Sequence, residues 1–423
     1  MPEIAAPKGT RDILPADAAA WRWLLEAHRQ VAESFGYRPI ETPVFEATEL
    51  FARGVGEETD IVEKQMFTFE DRGGRSLALR PESTAGAVRA VVGARLDQER
   101  RPVRVHYQGP MFRAENPQRG RQHQFTQLGV ECMGERSPQL DAEVIEVAWR
   151  YFQALQLHGL RLQVNTLGNV EDRRQYRRAL IDYYTPLRDQ LCDACKRRLE
   201  VNPLRLLDCK NDERFVEHAP VMWDLLDSES QAFFNLVLQS LEAAHIEFTV
   251  NYRIVRGLDY YVDTVFEIWH DSLQGAQNSL GGGGRYDGLA ELLGFPATPG
   301  TGYALGVERI LLIAQELGRA PAPEPDCDVV VLSLETAQAA AAADLARTLR
   351  ERGVSVIVDA SDRRLDRKLR NADRVAARVA VILGEEEVNK EQATVRDLAA
   401  RDEQRVPVGD VTSHIARILE QQA

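Results

Sequence analysis

A proline-spaced connector divides the chain into two segments of different character. Residues 319–326 read RAPAPEPD, and the prolines at 321, 323 and 325 favour an extended, semi-rigid backbone. A connector of this composition marks a domain boundary. We therefore predict one domain over residues 1–320, a linker at 321–326 and a second domain over residues 327–423.

Strands and helices alternate after the connector. A buried strand is predicted for DVVVLSL at 328–334, an alanine-rich helix runs to about Gly353, and a second strand is predicted for VSVIVD at 354–359. A basic helix follows, and RVAVILG at 378–384 has the pattern of a third strand. This alternation predicts a small α/β domain with a parallel or mixed sheet.

The part before the connector has strand patterns that lie close together or are joined by irregular loops. Such patterns over residues 103–113, 122–133 and 261–269 predict an antiparallel sheet with helices packed on it. A polar, helix-prone stretch from about 170 to 222 predicts an inserted helical module. The expected fold class is α+β on an antiparallel sheet with a helical insertion, followed by a C-terminal α/β domain.

Net charge and apolar patterning narrow the possible classes of protein. The formal net charge of −13 argues against a protein that coats nucleic acid non-specifically, although residues 100–123 and 361–378 are locally basic. No apolar run approaches the roughly 18 residues of a membrane span, and the N-terminus lacks a signal-peptide pattern. Five cysteines, an odd number, fit reduced thiols. We therefore expect a cytoplasmic protein without a membrane partner.

The richest candidate site lies at residues 104–131, where two strand patterns flank an arginine-bearing loop from Ala114 to Arg121. The strand period of two puts Gln127, Gly129 and Glu131 on one face of the second strand. The glycine would leave an open space between an amide and a carboxylate, which suits a small polar ligand. The same pattern is also typical of the solvated face of an edge hairpin.

Other segments contain residues that could have either a functional or a purely structural role. Tyr260 and Tyr261 are adjacent, so on a strand one packs inward while the other can reach a pocket, but such a pair is often structural. Arg309 lies in the early turns of a predicted helix, where anions are favoured. The glycine run 281–284 matches neither the P-loop nor the dinucleotide-binding spacing.

Three cysteines raise the question of a zinc site. Cys192 and Cys195 have the short spacing of a metal knuckle and Cys209 follows, but a structural zinc ion needs four ligands. Only His218 lies near in sequence as a fourth ligand. We therefore interpret the three as buried or surface thiols and expect no structural metal.

Taken together, these segments resemble the class II histidyl-tRNA synthetases, in register over nearly the whole chain. VRGLDYY is especially specific, since the three general class II motifs would leave other aminoacyl-tRNA synthetases open. The residues that carry the resemblance are PKGTRDILP (7–15), ETPVFEATELFARGVGEETDIVEK (41–64), LRPESTAGAVRA (79–90), GPMFRAENPQRGR (109–121), QFTQLGVE (124–131), VRGLDYY (255–261), GGRYDGL (283–289) and GYALGVER (302–309).

The resemblance implies ATP-dependent activation of histidine followed by its transfer to tRNA(His), with magnesium accompanying the outer phosphates. It implies catalytic roles for Arg256, at the α-phosphate, and Arg113. The implied ATP-binding residues are Arg113, Glu115, Arg121 and Arg309. The implied histidine-binding residues are Glu82, Ser83, Thr84, Gln127, Glu131, Tyr260 and Tyr261, of which Glu131 and Tyr261 would contact the imidazole. A carboxylate and a phenol hydroxyl can match the one donor and one acceptor of neutral imidazole.

The resemblance also implies RNA contacts and an assembly. Gln118 would face the tRNA acceptor end, and the C-terminal domain would bind the anticodon with the basic stretch from Arg363 to Arg378 as an electrostatic footprint. A homodimer through the N-terminal domain is expected.

The chain departs from the family pattern at five positions, Gln65, Ser83, Ala114, Asn116 and His123. The missing charges at Asn116 and His123 affect contacts to the acceptor stem and ATP, but the arginines and carboxylates named above remain. Two alternative classes of protein share part of this pattern: the non-catalytic paralogue that serves as regulatory subunit of ATP phosphoribosyltransferase, and an α/β RNA-binding protein without chemistry. The first generally lacks the anticodon domain, and the second leaves the paired arginines and carboxylates unexplained.

Overall fold

The computed structural model describes residues 4–56, 59, 61–255, 258, 260–272 and 279–420. Arg256, expected to act at the α-phosphate, lies outside the described residues. The chain forms two compact units, Met1–Pro321 and Ala322–Ala423, and the division falls inside the proline-spaced connector. Among the described helices, none is long and apolar enough to cross a membrane.

A twisted sheet forms the centre of the first unit. Its strand order is β1-β5-β6-β11-β10-β9-β7-β8, and the described strands pair antiparallel except at the two edges, where β1 joins β5 and β7 joins β8 in parallel. A smaller sheet has the order β2-β4-β3. The strands of this unit are β1 Arg38–Pro39, β2 Phe45–Ala47, β3 Thr68–Glu70, β4 Ser76–Leu79, β5 Val103–Phe112, β6 Gln124–Met133, β7 Leu160–Thr166, β8 Phe248–Val250, β9 Val262–His270, β10 Ser279–Arg285 and β11 Gly300–Gly306.

The helices of the first unit pack on both faces of this sheet and build the insertion. The α-helices are α1 Pro15–Ser34, α2 Thr48–Val55, α3 Thr84–Gly93, α4 Leu96–Glu99, α5 Pro138–Ala154, α6 Val170–Tyr184, α7 Asp193–Val201, α8 Glu213–Val216, α9 Ser228–Ala243, α10 Leu289–Leu292 and α11 Val307–Glu316. Helices α1, α5, α9 and α11 share a large apolar core with Leu128 and Val130 of β6. The alternation along β6 thus turns Gln127 and Glu131 toward the opposite face.

The predicted helical insertion is present and has its own small core. It contains α6, α7 and α8, with short 3₁₀ turns at Thr185–Gln190, Pro203–Leu206 and Met222–Leu225. Helix α6 begins at a capping box, in which the Asn169 side chain accepts hydrogen bonds from the backbone N–H groups of Glu171 and Asp172. The insertion packs Tyr176, Leu180 and neighbouring apolar side chains together.

The second unit is the predicted α/β domain. Its sheet has the order β13-β12-β14-β15-β16, in which the first three strands are parallel and the last two pairings are antiparallel. Apolar side chains pack on both faces of this sheet. The elements are β12 Val329–Ser333, α12 Ala339–Glu351, β13 Val356–Asp359, α13 Leu365–Arg374, β14 Val379–Leu383, α14 Glu385–Asn389, β15 Gln392–Asp397, β16 Asp402–Pro407 and α15 Val408–Glu420.

Candidate active site

A cavity of about 760 Å³ lies over strands β6, β9, β10 and β11 of the first unit. Its wall also includes residues from the start of α3, from the loop between β5 and β6, and from the helical insertion. The predicted site residues that line it are Glu82, Thr84, Arg113, Glu115, Arg121, Gln127, Tyr260, Tyr261 and Arg309. Segments far apart in sequence thus meet at one concave surface, the usual setting of a ligand site.

Three of the predicted residues lie outside the cavity wall. Ser83 and Glu131 are buried below the surface, with 2% and 0% of their areas exposed. Gln118 lies on the exposed loop between β5 and β6, where its backbone pairs with Arg121. In this conformation Ser83 and Glu131 can act only through a neighbour, whereas Gln118 is open to a ligand outside the cavity.

Three arginines gather at one end of the cavity. The Arg121 Nη1 atom lies 3.0 Å from Glu115 Oε2, and Arg113 Nη1 lies 3.9 Å from Glu115 Oε1. Arg309 Nε donates to the Gly120 carbonyl at 3.2 Å, which brings the third guanidinium to the same loop. Burial, followed by the like charge of Arg121, lowers the pKa of Arg309 to about 10. One carboxylate among three guanidinium groups leaves this end suited to an anion.

Glu131 is the centre of a buried hydroxyl cluster beneath the cavity. Its Oε1 accepts the Thr84 hydroxyl at 2.7 Å and lies 3.4 Å from the Tyr107 hydroxyl, while its Oε2 accepts the Tyr286 hydroxyl at 2.5 Å. Burial raises the pKa of Glu131 to about 8. Gly302 makes room for this carboxylate, because a β-carbon there would lie 1.8 Å from Glu131 Oε2.

Glu82 caps a helix at the cavity wall. Its Oε2 accepts the Thr84 backbone N–H at 2.6 Å and its Oε1 accepts the Ala85 backbone N–H at 2.9 Å, so it satisfies two free donors at the start of α3. Burial raises the pKa of Glu82 above its usual value. The side chain is therefore held in place by the backbone, and its remaining lone pairs can accept a further donor.

Gln127 supplies an unused acceptor. Its side chain is 8% exposed, and Gln127 Oε1 is buried without a hydrogen-bond partner in the part of the chain that the structure describes. A buried amide oxygen without a donor carries a free-energy cost that a ligand N–H can remove. The open space predicted beside Gly129 is wrong, because the hydroxyl of Tyr107 lies only 2.6 Å from where a β-carbon would be.

An aromatic wall completes the cavity. The rings of Tyr260 and Tyr261 lie 4.6 Å apart between centroids, and the Tyr260 ring meets Tyr286 edge-on at 5.8 Å. The sequence motifs included Tyr286 but gave it no role, and Tyr107 was also missed. The hydroxyls of Tyr107 and Tyr286 reach Glu131 only because strands that are distant in sequence pair side by side. The sequence alone does not show which strands are neighbours, so these contacts could not be predicted from it.

Only some of the basic residues between Arg363 and Arg378 lie on the surface of the second unit. Arg363, Arg364, Arg367, Arg370 and Arg374 are exposed. Lys368 is fully buried, and its ammonium donates to the Ser333 carbonyl at 2.5 Å. Arg378 pairs with Asp397 at 2.6 Å. Including Lys368 in an RNA-binding footprint was therefore wrong, whereas the five exposed arginines remain available to one.

Comparisons with known proteins agree over nearly the whole chain. The family model described as histidyl-tRNA synthetase matches residues 9–185 and 208–310, and the model described as anticodon binding domain matches residues 328–418. A histidine–tRNA ligase of Anoxybacillus flavithermus is 44% identical over 419 residues, covering 98% of this chain and 99% of the relative. One of Lactococcus lactis is 44% identical, with 99% and 98% covered.

Solved structures give the same result. The crystal structure of the apo histidyl-tRNA synthetase of S. aureus superposes with a TM-score of 0.83 at 32% identity, and the match covers 98% of this chain and 100% of that one. The match extends through both units. The antiparallel catalytic sheet, the helical insertion and the C-terminal domain with a mixed sheet are thus shared with a solved relative.

Proposed function

Because the chain belongs to the histidyl-tRNA synthetase family, we propose that it ligates L-histidine to tRNA(His) in two steps. Like other aminoacyl-tRNA synthetases it uses ATP. In the first step a carboxylate oxygen of histidine attacks the α-phosphate, and pyrophosphate leaves. In the second step a hydroxyl at the tRNA 3′ end attacks the carbonyl carbon, and AMP leaves. The observation that carries the proposal is one cavity with an arginine cluster at one end and buried amide, carboxylate and hydroxyl groups at the other.

The arginine cluster would hold the triphosphate. Arg113, Arg121 and Arg309 offer positive charge where negative charge develops as the phosphate bond breaks. Glu115 orients two of these arginines and would contact the adenine amino group. Arg256 is proposed at the α-phosphate on the strength of the VRGLDYY motif. Catalysis would then consist mainly of positioning and charge stabilisation.

Magnesium is proposed to accompany the outer phosphates. The ion prefers one or two carboxylates together with phosphate oxygens. Glu267 lines the cavity on β9, and its Oε2 accepts the Trp269 indole N–H at 2.6 Å, which fixes the carboxylate toward this region. Glu267 is the side chain that would hold the ion. A bound Mg²⁺ would neutralise charge on the leaving pyrophosphate.

The opposite end of the cavity would bind histidine. Glu82, Thr84 and Gln127 are proposed to receive the α-amino group, and the unpartnered Gln127 Oε1 supports this role. Ser83 would position the helix start that carries Thr84. Tyr260 and Tyr261 would form the wall against the imidazole, with Tyr261 reading one ring nitrogen.

Glu131 is proposed to read the imidazole together with Tyr261, acting in this conformation through its hydroxyl neighbours. The hydroxyls of Thr84 and Tyr286 donate to the Glu131 oxygens, so their own protons are already engaged. The lone pairs of those hydroxyl oxygens are then left to accept N–H groups of the ligand. Glu131 would thereby make the hydroxyl oxygens of Thr84 and Tyr286 hydrogen-bond acceptors toward the ligand.

RNA binding and assembly follow the same family pattern. The exposed Gln118 is proposed to contact the tRNA acceptor end, and the five exposed arginines of the second unit to contact the anticodon region. A homodimer is proposed through the first unit, where Phe45 and Phe69 of the small sheet are 52% and 43% exposed with ring centroids 6.1 Å apart. The cytoplasmic location stays a prediction.

Histidine-dependent exchange of pyrophosphate into ATP tests the proposal. The protein should catalyse exchange that requires histidine, and Arg256→Ala should abolish nearly all of it because charge stabilisation at the phosphate is lost. Arg319→Ala is the matched control, since this arginine is exposed, does not line the cavity and donates to Gln156 at 3.2 Å. Folded protein with no histidine-dependent exchange would contradict the function and favour a regulatory or RNA-binding role.

A further inference from the structure

The helical insertion brings together four side chains that the sequence pattern had left incomplete as a metal site. Cys192 and Cys195 are separated by two residues, and Cys209 and Asp212 repeat that spacing after 13 intervening residues. In the folded chain one ligand atom from each of the four lies within 4.8 Å of all the others. The fourth side chain of this group is Asp212, not the His218 that proximity in sequence suggested.

The distances fit one tetrahedral ion. Cys192 Sγ and Cys209 Sγ are 3.8 Å apart, and Cys209 Sγ lies 4.0 Å from Asp212 Oδ2. With zinc–sulfur bonds of about 2.3 Å, tetrahedral geometry places two thiolate ligands about 3.8 Å apart. A disulfide would require a sulfur–sulfur separation of about 2.05 Å. The observed spacing therefore fits ligation by a common ion rather than a bond between the sulfurs.

The surroundings are those of a closed structural site. Cys195, Cys209 and Asp212 are 0%, 7% and 4% exposed, and only Cys192 is partly accessible. Cys192 is the residue before α7 and Cys195 lies in the first turn of that helix, while Asp212 is the residue before α8. One ion would therefore tie the starts of two short helices, neither of which is long enough to be stable alone.

We propose that Cys192, Cys195, Cys209 and Asp212 bind one structural zinc ion that holds the segment 205–213 at the cavity. Thiolate-rich tetrahedral sites select zinc among the common divalent ions. Arg205, Asp208, Lys210 and Glu213 line the cavity and flank Cys209 and Asp212 along the chain. The histidyl-tRNA synthetase family model matches nothing between residues 185 and 208, so Cys192 and Cys195 lie outside the matched segments. The site stands independently of the proposed function.

Metal analysis of the full-length protein tests the site. Protein purified without a histidine tag or added metal should contain about one zinc per chain by elemental mass spectrometry. Cys195→Ser should lose most of the metal. Cys327→Ser is the matched control, because this cysteine is equally buried but lies in the second unit. Less than about a tenth of an ion per chain in the wild type, or equal zinc in both variants, would overturn the proposal.

If Cys195→Ser does not fold, substitutions of Asp212, the single carboxylate of the proposed ligand set, provide a second test. Asp212→Cys completes a four-thiolate set and should slow zinc release to a chelator, whereas Asp212→Asn removes the charge and should speed it. Cobalt added to metal-depleted wild type should give the thiolate charge-transfer absorption of a tetrahedral ion. Identical release rates in both Asp212 variants, or a Cys192–Cys209 disulfide found by peptide mapping of freshly purified protein, would refute zinc ligation.

Discussion

Tyr286→Phe removes one hydroxyl and tests whether the buried Glu131 contributes to histidine recognition. In the folded chain that hydroxyl lies 2.5 Å from Glu131 Oε2, and the ring lines the cavity. The substitution leaves a buried carboxylate oxygen without its donor and removes a ligand acceptor. Leaving a buried acceptor without its donor costs about 1–3 kcal/mol. At about 1.4 kcal/mol per factor of ten, kcat/KM for histidine should fall roughly 5- to 150-fold.

The assay is pyrophosphate exchange measured at varied histidine and, separately, at varied ATP. The KM for ATP should change by less than about twofold, because the arginine cluster keeps its contacts. Tyr151→Phe is the matched control. This tyrosine is also fully buried, but its hydroxyl has no hydrogen-bond partner among the described residues, so its removal should leave both KM values unchanged.

Two results would refute this reasoning. Equal losses toward histidine and ATP would show that Tyr286 supports the cavity as a whole rather than its histidine end. An unchanged kcat/KM for histidine, with the melting temperature also unchanged, would show that the Glu131–Tyr286 contact takes no part in recognition. Tyr151→Phe must fold with wild-type thermal stability for either comparison to be valid.

Two further predictions concern stability. Burial raises the pKa of Glu131 from 4.5 to about 8, so between these values the folded chain holds a proton that the unfolded chain has released. The free energy of unfolding should therefore fall as pH rises from 5 to 8, and Glu131→Gln should flatten this slope in denaturant titrations while the exposed Glu70→Gln leaves it unchanged. Asp141→Asn breaks a fully buried ion pair with Arg285, 2.5 Å long, and should cost about 3–5 kcal/mol. In calorimetry, Glu49→Gln at an exposed position of α2 should leave the melting temperature unchanged, and an equally small effect of Asp141→Asn would contradict the prediction.

The strands with strong side-chain patterns could be predicted from sequence, and the glycine-rich strand could not. Residues 103–113 and 122–133 alternate clearly, and they form β5 and β6 within two residues of those limits. The run 281–284 has no side chains to show a period, yet it lies in β10 between β9 and β11. A β-carbon at Gly283 would lie 1.9 Å from the Gly302 carbonyl oxygen, so the close approach of neighbouring backbones requires glycine there.

Some residues of the candidate site could likewise be predicted from sequence, and others could not. Arg113, Arg121 and Arg309 could be placed by their motifs, because each motif has a characteristic local sequence. The hydroxyl contacts of Glu131 and the proximity of Asp212 to three cysteines depend on distances between segments. Spacing along the chain carries no information about such distances until the order of strands and the path of the insertion are known.

The burial of Glu131 should increase the selectivity of the pocket for histidine. A carboxylate at the surface would meet water whenever a ligand failed to supply an N–H group, and the cost of the wrong ligand would be small. Glu131 is fully buried, and its oxygens already accept the hydroxyls of Thr84 and Tyr286, so the hydroxyl orientations are set before a ligand arrives. In the proposed role of these residues, an apolar analogue of histidine would leave the polar groups desolvated and unmatched. Sites built in this way can reject such analogues by roughly 10⁴- to 10⁵-fold without a separate editing site.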